Sequence, residues 1–188
     1  MENFAVIDTE TNWNDKVMSI GAVIADADTF EEIAERYYII TPECTKGGMY
    51  ASVLQYKGQK IDALCSRKEV LHLLNETLRT YRVDSVFAYN AAFDYQHLRE
   101  LQQYRWCDIM RIAAYRQYNR AIPDDAECYQ TGRLKHGYGV ESIMRMLSGV
   151  RTYTEVHNAL CDARDELKIM KLLGQKYECY RNAELSIR

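Results

Sequence analysis

The first apolar run of this chain ends in two carboxylates, and that restricts what the chain can build. Residues 4–8 (FAVID) are short and apolar, lead straight into Thr9 and Glu10, and read as a buried strand. Side chains two apart on a strand share a face, so Asp8 and Glu10 stand side by side at its end. Two carboxylates held together repel each other unless a cation lies between them. The run therefore calls for a sheet to bury it, and the pair at its end is either two polar residues where the strand meets solvent or a site for a hard divalent cation.

The rest of the pattern supplies such a sheet. Residues 17–25 and 34–40 read as a second and a third strand, with links short enough for an antiparallel meander. Residues 41–62 are irregular. Ser66 then opens a capping box with Glu69, and apolar residues at helical spacing predict a helix to about Tyr81. Residues 85–89 (SVFAY) predict a fourth strand and residues 94–104 a helix. Trp106 and Cys107 suggest a short fifth strand, with Asp108 placed to cap a helix over 109–118. Residues 119–139 are polar and glycine-bearing and read as loop, before helices over 140–147 and 159–177. The later β–α–β steps imply parallel pairing. The expected fold class is α/β, one domain over 1–188: a mixed five-stranded sheet, its first three strands antiparallel, with helices packed on it.

Composition excludes some classes of function. No apolar run approaches the roughly 20 residues that cross a bilayer, so no membrane partner is expected. The first residues carry no basic stretch followed by an apolar segment, so a cytoplasmic location is the expectation. Six cysteines occur with no CxxC pair and no zinc spacing, and read as reduced, mostly buried thiols. The net charge of −3 argues against an extended grip on a long duplex. It permits a nucleic-acid enzyme, because four carboxylates committed to cations would leave the remainder slightly positive.

Two further segments bear on the chemistry. In residues 85–98 a buried strand ends, Asn90 breaks the pattern and Asp94 follows at a helix start. Asp94 is either an N-cap or, if the strand lies beside the first one, a neighbour of Asp8 at the carboxyl ends of the strands. In residues 152–173, His157 lies just before a helix and Asp162 inside its first turn. An acid within an otherwise core-facing helix costs desolvation unless something positive pairs with it. An imidazole can take a proton from water at neutral pH. Asp165 and Glu166 on the same helix are expected to face solvent and pair with neighbours such as Arg164 or Lys168. His72 and His97 read as surface or boundary residues, and His136 beside Lys135 as a possible phosphate contact.

Together the three segments, at 4–13, 85–98 and 152–173, resemble the exonuclease motifs of the DEDDh exonucleases. These form the DnaQ-like or ribonuclease T-like branch of the ribonuclease H-like superfamily. Asp8 and Glu10 match the first motif, Asp94 with Asn90 and Phe93 the second, and His157 and Asp162 the third. A sibling branch has tyrosine four residues before the last aspartate. Here that position is Asn158, and histidine stands five before, in the run HNALCDARDEL. The resemblance implies helices on both faces of the sheet and a two-metal mechanism. One ion activates a water, and the other, about 3.5–4 Å away, steadies the leaving oxygen. Asp8, Glu10, Asp94 and Asp162 would hold two Mg²⁺ ions, with Mn²⁺ able to substitute. His157 would be the general base. Thr9, Thr11 and Asn90 would lie near the terminal nucleotide, and Trp13 or Phe93 could stack on a base. For Phe93 a core-packing role is an equal alternative. The sequence departs from the family over 41–62, which lack a turn that many relatives carry, and over 119–139.

The function expected is hydrolysis at the 3′ end of single-stranded DNA, RNA or short oligonucleotides, releasing 5′-mononucleotides. The alternative is a non-catalytic nucleic-acid- or protein-binding module on the same fold. A metal phosphatase acting on small nucleotides shares the metal logic. Monomer and homodimer both stay open.

Overall fold

A computed structural model describes residues 2–186. Three strands come first: β1 (Asn3–Thr11), β2 (Val17–Asp26) and β3 (Glu32–Ile40), paired antiparallel in sequence order. The turns between them are closed by side chains. Asn12 Oδ1 accepts the main-chain N–H groups of Asn14 and Lys16, and Asp26 Oδ1 accepts those of Asp28 and Thr29. β4 (Ala63–Cys65) runs parallel to β3, β5 (Val83–Ala88) parallel to β1, and β6 (Arg105–Asp108) parallel to β5. The sheet order is β4-β3-β2-β1-β5-β6.

The sheet thus has six strands where the sequence predicts five. β4 is three residues long and lies at the edge, with Leu64 exposed, so it has no run of alternation to betray it.

Helices cover both faces. α1 (Arg67–Thr80) begins at the predicted capping box, with Ser66 and Glu69 bonding reciprocally. It packs with α2 (Ala92–His97) on one face, over Ala5, Ile7, Ile20, Ile24 and Trp106. The other face carries α3 (Met110–Ala113), α4 (Val140–Ser148), α5 (Ala159–Leu173) and α6 (Tyr177–Arg181), over Phe4, Val6, Val23 and Phe87. Alternation along β1 places Phe4 and Val6 under α5, and its continuation puts Asp8 and Glu10 on the same side.

Several predicted helices are shorter than expected. The helix expected over 94–104 is α2 plus one 3-10 turn at Arg99–Leu101. The helix expected over 109–118 stops at Ala113, because Arg116 donates its main-chain N–H to Gly132 and Leu134 donates to Ala114, which ties the chain into the loop beyond. Its cap position is Ile109 rather than Asp108. The last long helix stops at Leu173, where Gly174 turns left-handed with φ 61°, and α6 is a separate short helix. Only Cys107 of the six cysteines is fully buried; the other five are half-buried, and all are free thiols. Among the described residues no helix is long and apolar enough to cross a membrane.

One residue sets how closely α5 approaches the sheet. Gly21 pairs with Asp8 across β1 and β2. A Cβ at Gly21 would lie 2.2 Å from the carbonyl carbon of Ala159 and 2.3 Å from the nitrogen of Leu160. Gly21→Ala is therefore expected to destabilise the protein by about 3 kcal/mol, the upper part of the overpacking range, because backbone has to move. Urea unfolding measures this, and a variant within about 0.5 kcal/mol of wild type would contradict the tight contact.

Candidate active site

β1, β5 and β6 run parallel, so their carboxyl ends share one edge of the sheet. Asp8 and Glu10 stand at the end of β1, and Asp94 comes from the first turn of α2, just beyond β5. Asp162 comes from the first turn of α5, which Gly21 admits against the sheet opposite Asp8. Ligand atoms of Glu10, His157 and Asp162 all lie within 4.8 Å of one another. Asp8 feels the charges of Asp94, Glu166, Asp162 and Glu10 around it. The four acids from three distant segments therefore converge, with the histidine beside them.

Each side chain has a structural reason to be there. Thr9 is buried and donates its hydroxyl to Asp94 Oδ1 at 2.8 Å, which orients that carboxylate and leaves the hydroxyl committed. Asp108 is buried, and its Oδ1 accepts the N–H groups of Asn90 and Met110, each at 3.0 Å. It thereby fixes Asn90, an exposed residue in the left-handed region at φ 61°. Asn158 is buried and caps α5 through the Cys161 N–H. Its amide also donates to Tyr37 Oη at 3.0 Å and to the Val53 carbonyl at 2.9 Å. His157, one residue earlier, has φ 59° and stacks on the Tyr50 ring, centroids 4.0 Å apart and planes 15° apart.

The remaining candidates surround this cluster. Trp13 is 67% exposed and lies against Gly47, and Thr11 is half-buried at the end of β1. Phe93 is 40% exposed, with its ring 4.4 Å from that of His97, so it is not a core aromatic. His97 bridges the Phe93 carbonyl and Asp15, which matches a boundary residue, and His72 and His136 are exposed.

The expectation for Glu166 is wrong. It faces inward at 2% exposure, because it follows Asp162 by one turn on the buried face of α5. Asp165 accepts a hydrogen bond from Tyr153 Oη at 2.6 Å, and Arg164 pairs with Glu35 instead. Glu155 is a further half-buried acid close enough to act on Glu10 and Asp162. The i, i+4 spacing from Asp162 was the signal for Glu166. Tyr50, Asn158 and Gly21 gave none, since their roles rest on contacts between distant segments.

The electrostatics are those of a site that lacks positive charge. Burial, then Asp94, Glu166, Asp162 and Glu10, push the Asp8 carboxyl well above the usual carboxylate range. Burial, then Asp162, Asp94 and Glu155, push Glu10 up to about 8. Burial also raises Asp94 against the hydrogen bond from Thr9, and raises Asp162 with help from Glu155 and Asp165. Asp8 Oδ2, Asp162 Oδ1 and Glu166 Oε2 are buried oxygens with no hydrogen-bond partner. Orphaned carboxylate oxygens, an all-oxygen donor set and a single imidazole fit a hard divalent cation.

The comparisons agree with this architecture. No family model matches the sequence, and no curated protein matches it. Among solved structures, the nuclease domain of 3′hExo, a DEDDh family member bound to rAMP, superposes with a TM-score of 0.67 at 12% identity, over 100% of this chain and 98% of that one. Exonuclease X in complex with 5′ overhanging duplex DNA gives 0.59 at 17% identity, over 96% and 98%. E. coli Exonuclease I in complex with a dT13 oligonucleotide gives 0.64 at 13% identity, over 95% of this chain and 42% of that one. The fold is that of the DEDDh 3′-exonucleases, a ribonuclease H-like α/β architecture.

The raised carboxylates have a consequence for stability. The folded chain binds more protons than the unfolded chain between the ordinary carboxylate range and about pH 8, so stability falls as pH rises through that window. The melting temperature of chelator-treated protein is expected to drop from about pH 5 to about pH 8, and saturating Mg²⁺ to restore more of it at the upper end. Differential scanning fluorimetry checks this. A flat profile, or one that Mg²⁺ leaves unchanged, would mean the cluster does not behave as described.

Proposed function

We propose that this chain is a metal-dependent 3′→5′ exonuclease that hydrolyses phosphodiester bonds in single-stranded DNA, RNA or short oligonucleotides and releases 5′-mononucleotides. The observation that carries this reading is the cluster of unpartnered, buried carboxylate oxygens beside His157 at the carboxyl end of β1. A non-catalytic module would gain nothing from charges that destabilise its own fold. Of the solved neighbours, one is bound to rAMP, one is in complex with 5′ overhanging duplex DNA and one with a dT13 oligonucleotide, which supports a nucleic-acid end as the ligand.

In this reading Asp8, Glu10, Asp94 and Asp162 hold two Mg²⁺ ions, for which Mn²⁺ can substitute. Ions held by these residues would supply positive charge that eases loss of a proton from an attacking water and steadies the departing 3′ oxygen. His157 accepts the proton of that water. Its ring is held by the stack on Tyr50 and by the anchoring of Asn158 next to it. Thr9 orients Asp94. Asn90 and Thr11 flank the terminal nucleotide. The exposed rings of Trp13 and Phe93 offer faces on which bases can stack, worth about 1–3 kcal/mol each in single-strand binding.

A ladder assay with 5′-labelled single-stranded DNA and RNA, with Mg²⁺, with Mn²⁺ and with chelator, tests the reading. Stepwise shortening that needs a divalent ion is expected. Full degradation by chelator-treated protein, or no cleavage of either strand type, overturns it.

Asp162→Ala is expected to abolish cleavage while circular dichroism shows an intact fold. His157→Ala is expected to lower the rate by about 10²–10⁴-fold, the contribution of a general base, with metal binding retained. Single-turnover rates and metal titration of the same variants check both. A near-wild-type rate for His157→Ala would remove the imidazole from the proton transfer.

A further inference from the structure

Glu166 is the acid that none of the three sequence segments accounts for. It lies one turn beyond Asp162 on α5, among Ala163, Leu167, Ile169 and Met170, on a face that is apolar apart from these two acids. At 2% exposure it is as secluded as Asp94, and its Oε2 has no hydrogen-bond partner. The main-chain amide of Tyr89, at the end of β5, lies against it. Asp94 and then Asp162 are the acids that act on it most strongly, and it in turn acts on Asp8. An aliphatic side chain would fill this place at no electrostatic cost. A buried carboxylate beside other carboxylates is strongly disfavoured unless something offsets it.

Glu10, Asp162 and His157 bring ligand atoms within 4.8 Å of one another. Glu166 lies outside that trio, and the acid that acts on it most strongly is Asp94. Mg²⁺ is usually held by one or two carboxylates and completes its shell with waters and substrate phosphates. An ion on the Asp94 side held by Asp8 and Asp94 alone would depend on the nucleic acid for a strong hold. A third carboxylate removes that dependence.

We propose that Glu166 is a further metal ligand, which binds the ion on the Asp94 side and loads it before nucleic acid arrives. This rests on the metal-dependent reading above and adds a fifth carboxylate to it. The second ion is then a resident of the protein rather than a companion of the substrate.

Isothermal titration with Mn²⁺, in the absence of nucleic acid, tests the proposal on the full chain. Wild type is expected to bind two ions. Glu166→Gln keeps the size of the side chain and removes its charge, so it is expected to retain one ion and to weaken the other at least about tenfold, the scale on which supporting groups alone act. The Mg²⁺ concentration for half-maximal cleavage is expected to rise by a similar factor, while the rate at saturating Mg²⁺ largely recovers. Melting of the metal-free variant reports its fold, and Glu166→Ala gives the same test if the Gln amide disturbs the cavity. Two ions with unchanged affinity in both variants, or a single ion in wild type, overturn the proposal and leave the exonuclease reading standing. No ion in wild type overturns the metal-dependent reading itself.

Discussion

The contact between the main chain at Gly21 and the first turn of α5 decides where the charges of this molecule lie. Gly21 is the antiparallel partner of Asp8, so whatever presses on Gly21 sits one strand away from that carboxylate. The peptide at Ala159 and Leu160 presses there, too close for any side chain on the strand. Asp162 follows within the same turn, and Glu166 one turn later. Moving α5 outward by the width of a methyl group would separate these acids from β1. The alternation that buries Phe4 and Val6 under α5 also delivers Asp8 and Glu10 to the same face. Packing and chemistry therefore use one geometry, and the apolar part of the strand supports the charged part.

The rest of the fold tolerates the repulsion at this edge. Two apolar layers, one on each face of the sheet, hold β1 and β5 together by residues that have no part in the cluster. The five acids then cannot move apart without unpacking α5 or α2. Protonation or a cation is what can relieve them, since no buried Lys or Arg reaches the cluster among the described ion pairs: Arg164 turns outward to Glu35 and Lys171 to Glu31. On the metal-dependent reading proposed above, this negative charge is what a cation from outside would meet, and its cost falls on the metal-free fold.

Much of this was legible in the chain. Strand alternation, the Ser66–Glu69 capping box and the order of segments give the mixed sheet, because each is a local pattern with one structural solution. The convergence of Asp8, Glu10 and Asp94 follows from strand ends sharing an edge, once β5 lies beside β1, and Asp162 joins them because an acid inside a core-facing helix meets the sheet. What escaped had no local signature. β4 is too short to show a period, and α3 ends early because a loop twenty residues on competes for its hydrogen bonds. Glu166 was misplaced for a different reason. Charged helix residues usually face water, and that expectation overrode the i, i+4 relation to Asp162 that should have governed it.

The connection between β3 and α1 shows how far a weak sequence pattern can hide a strong constraint. Residues 41–62 have neither strand nor helix period, yet this stretch supplies the Tyr50 ring under His157 and the Val53 carbonyl that holds Asn158. Leu54, next along, accepts a hydrogen bond from Tyr37 Oη, and Tyr37 in turn receives the Asn158 amide. The imidazole sits at a left-handed residue between the loop after α4, which Tyr153 and Glu155 tie to α4 and α5, and this buried network. A non-glycine residue held there is strained by about 1–3 kcal/mol and persists only where its surroundings over-determine it. Asn158 and Tyr50 supply that determination, one through hydrogen bonds and one through a ring face. The position of the proposed base is thus set by a segment that the sequence marks only as irregular and as lacking a turn many relatives carry, and changes in that segment would bear on the proposed proton transfer without touching a carboxylate.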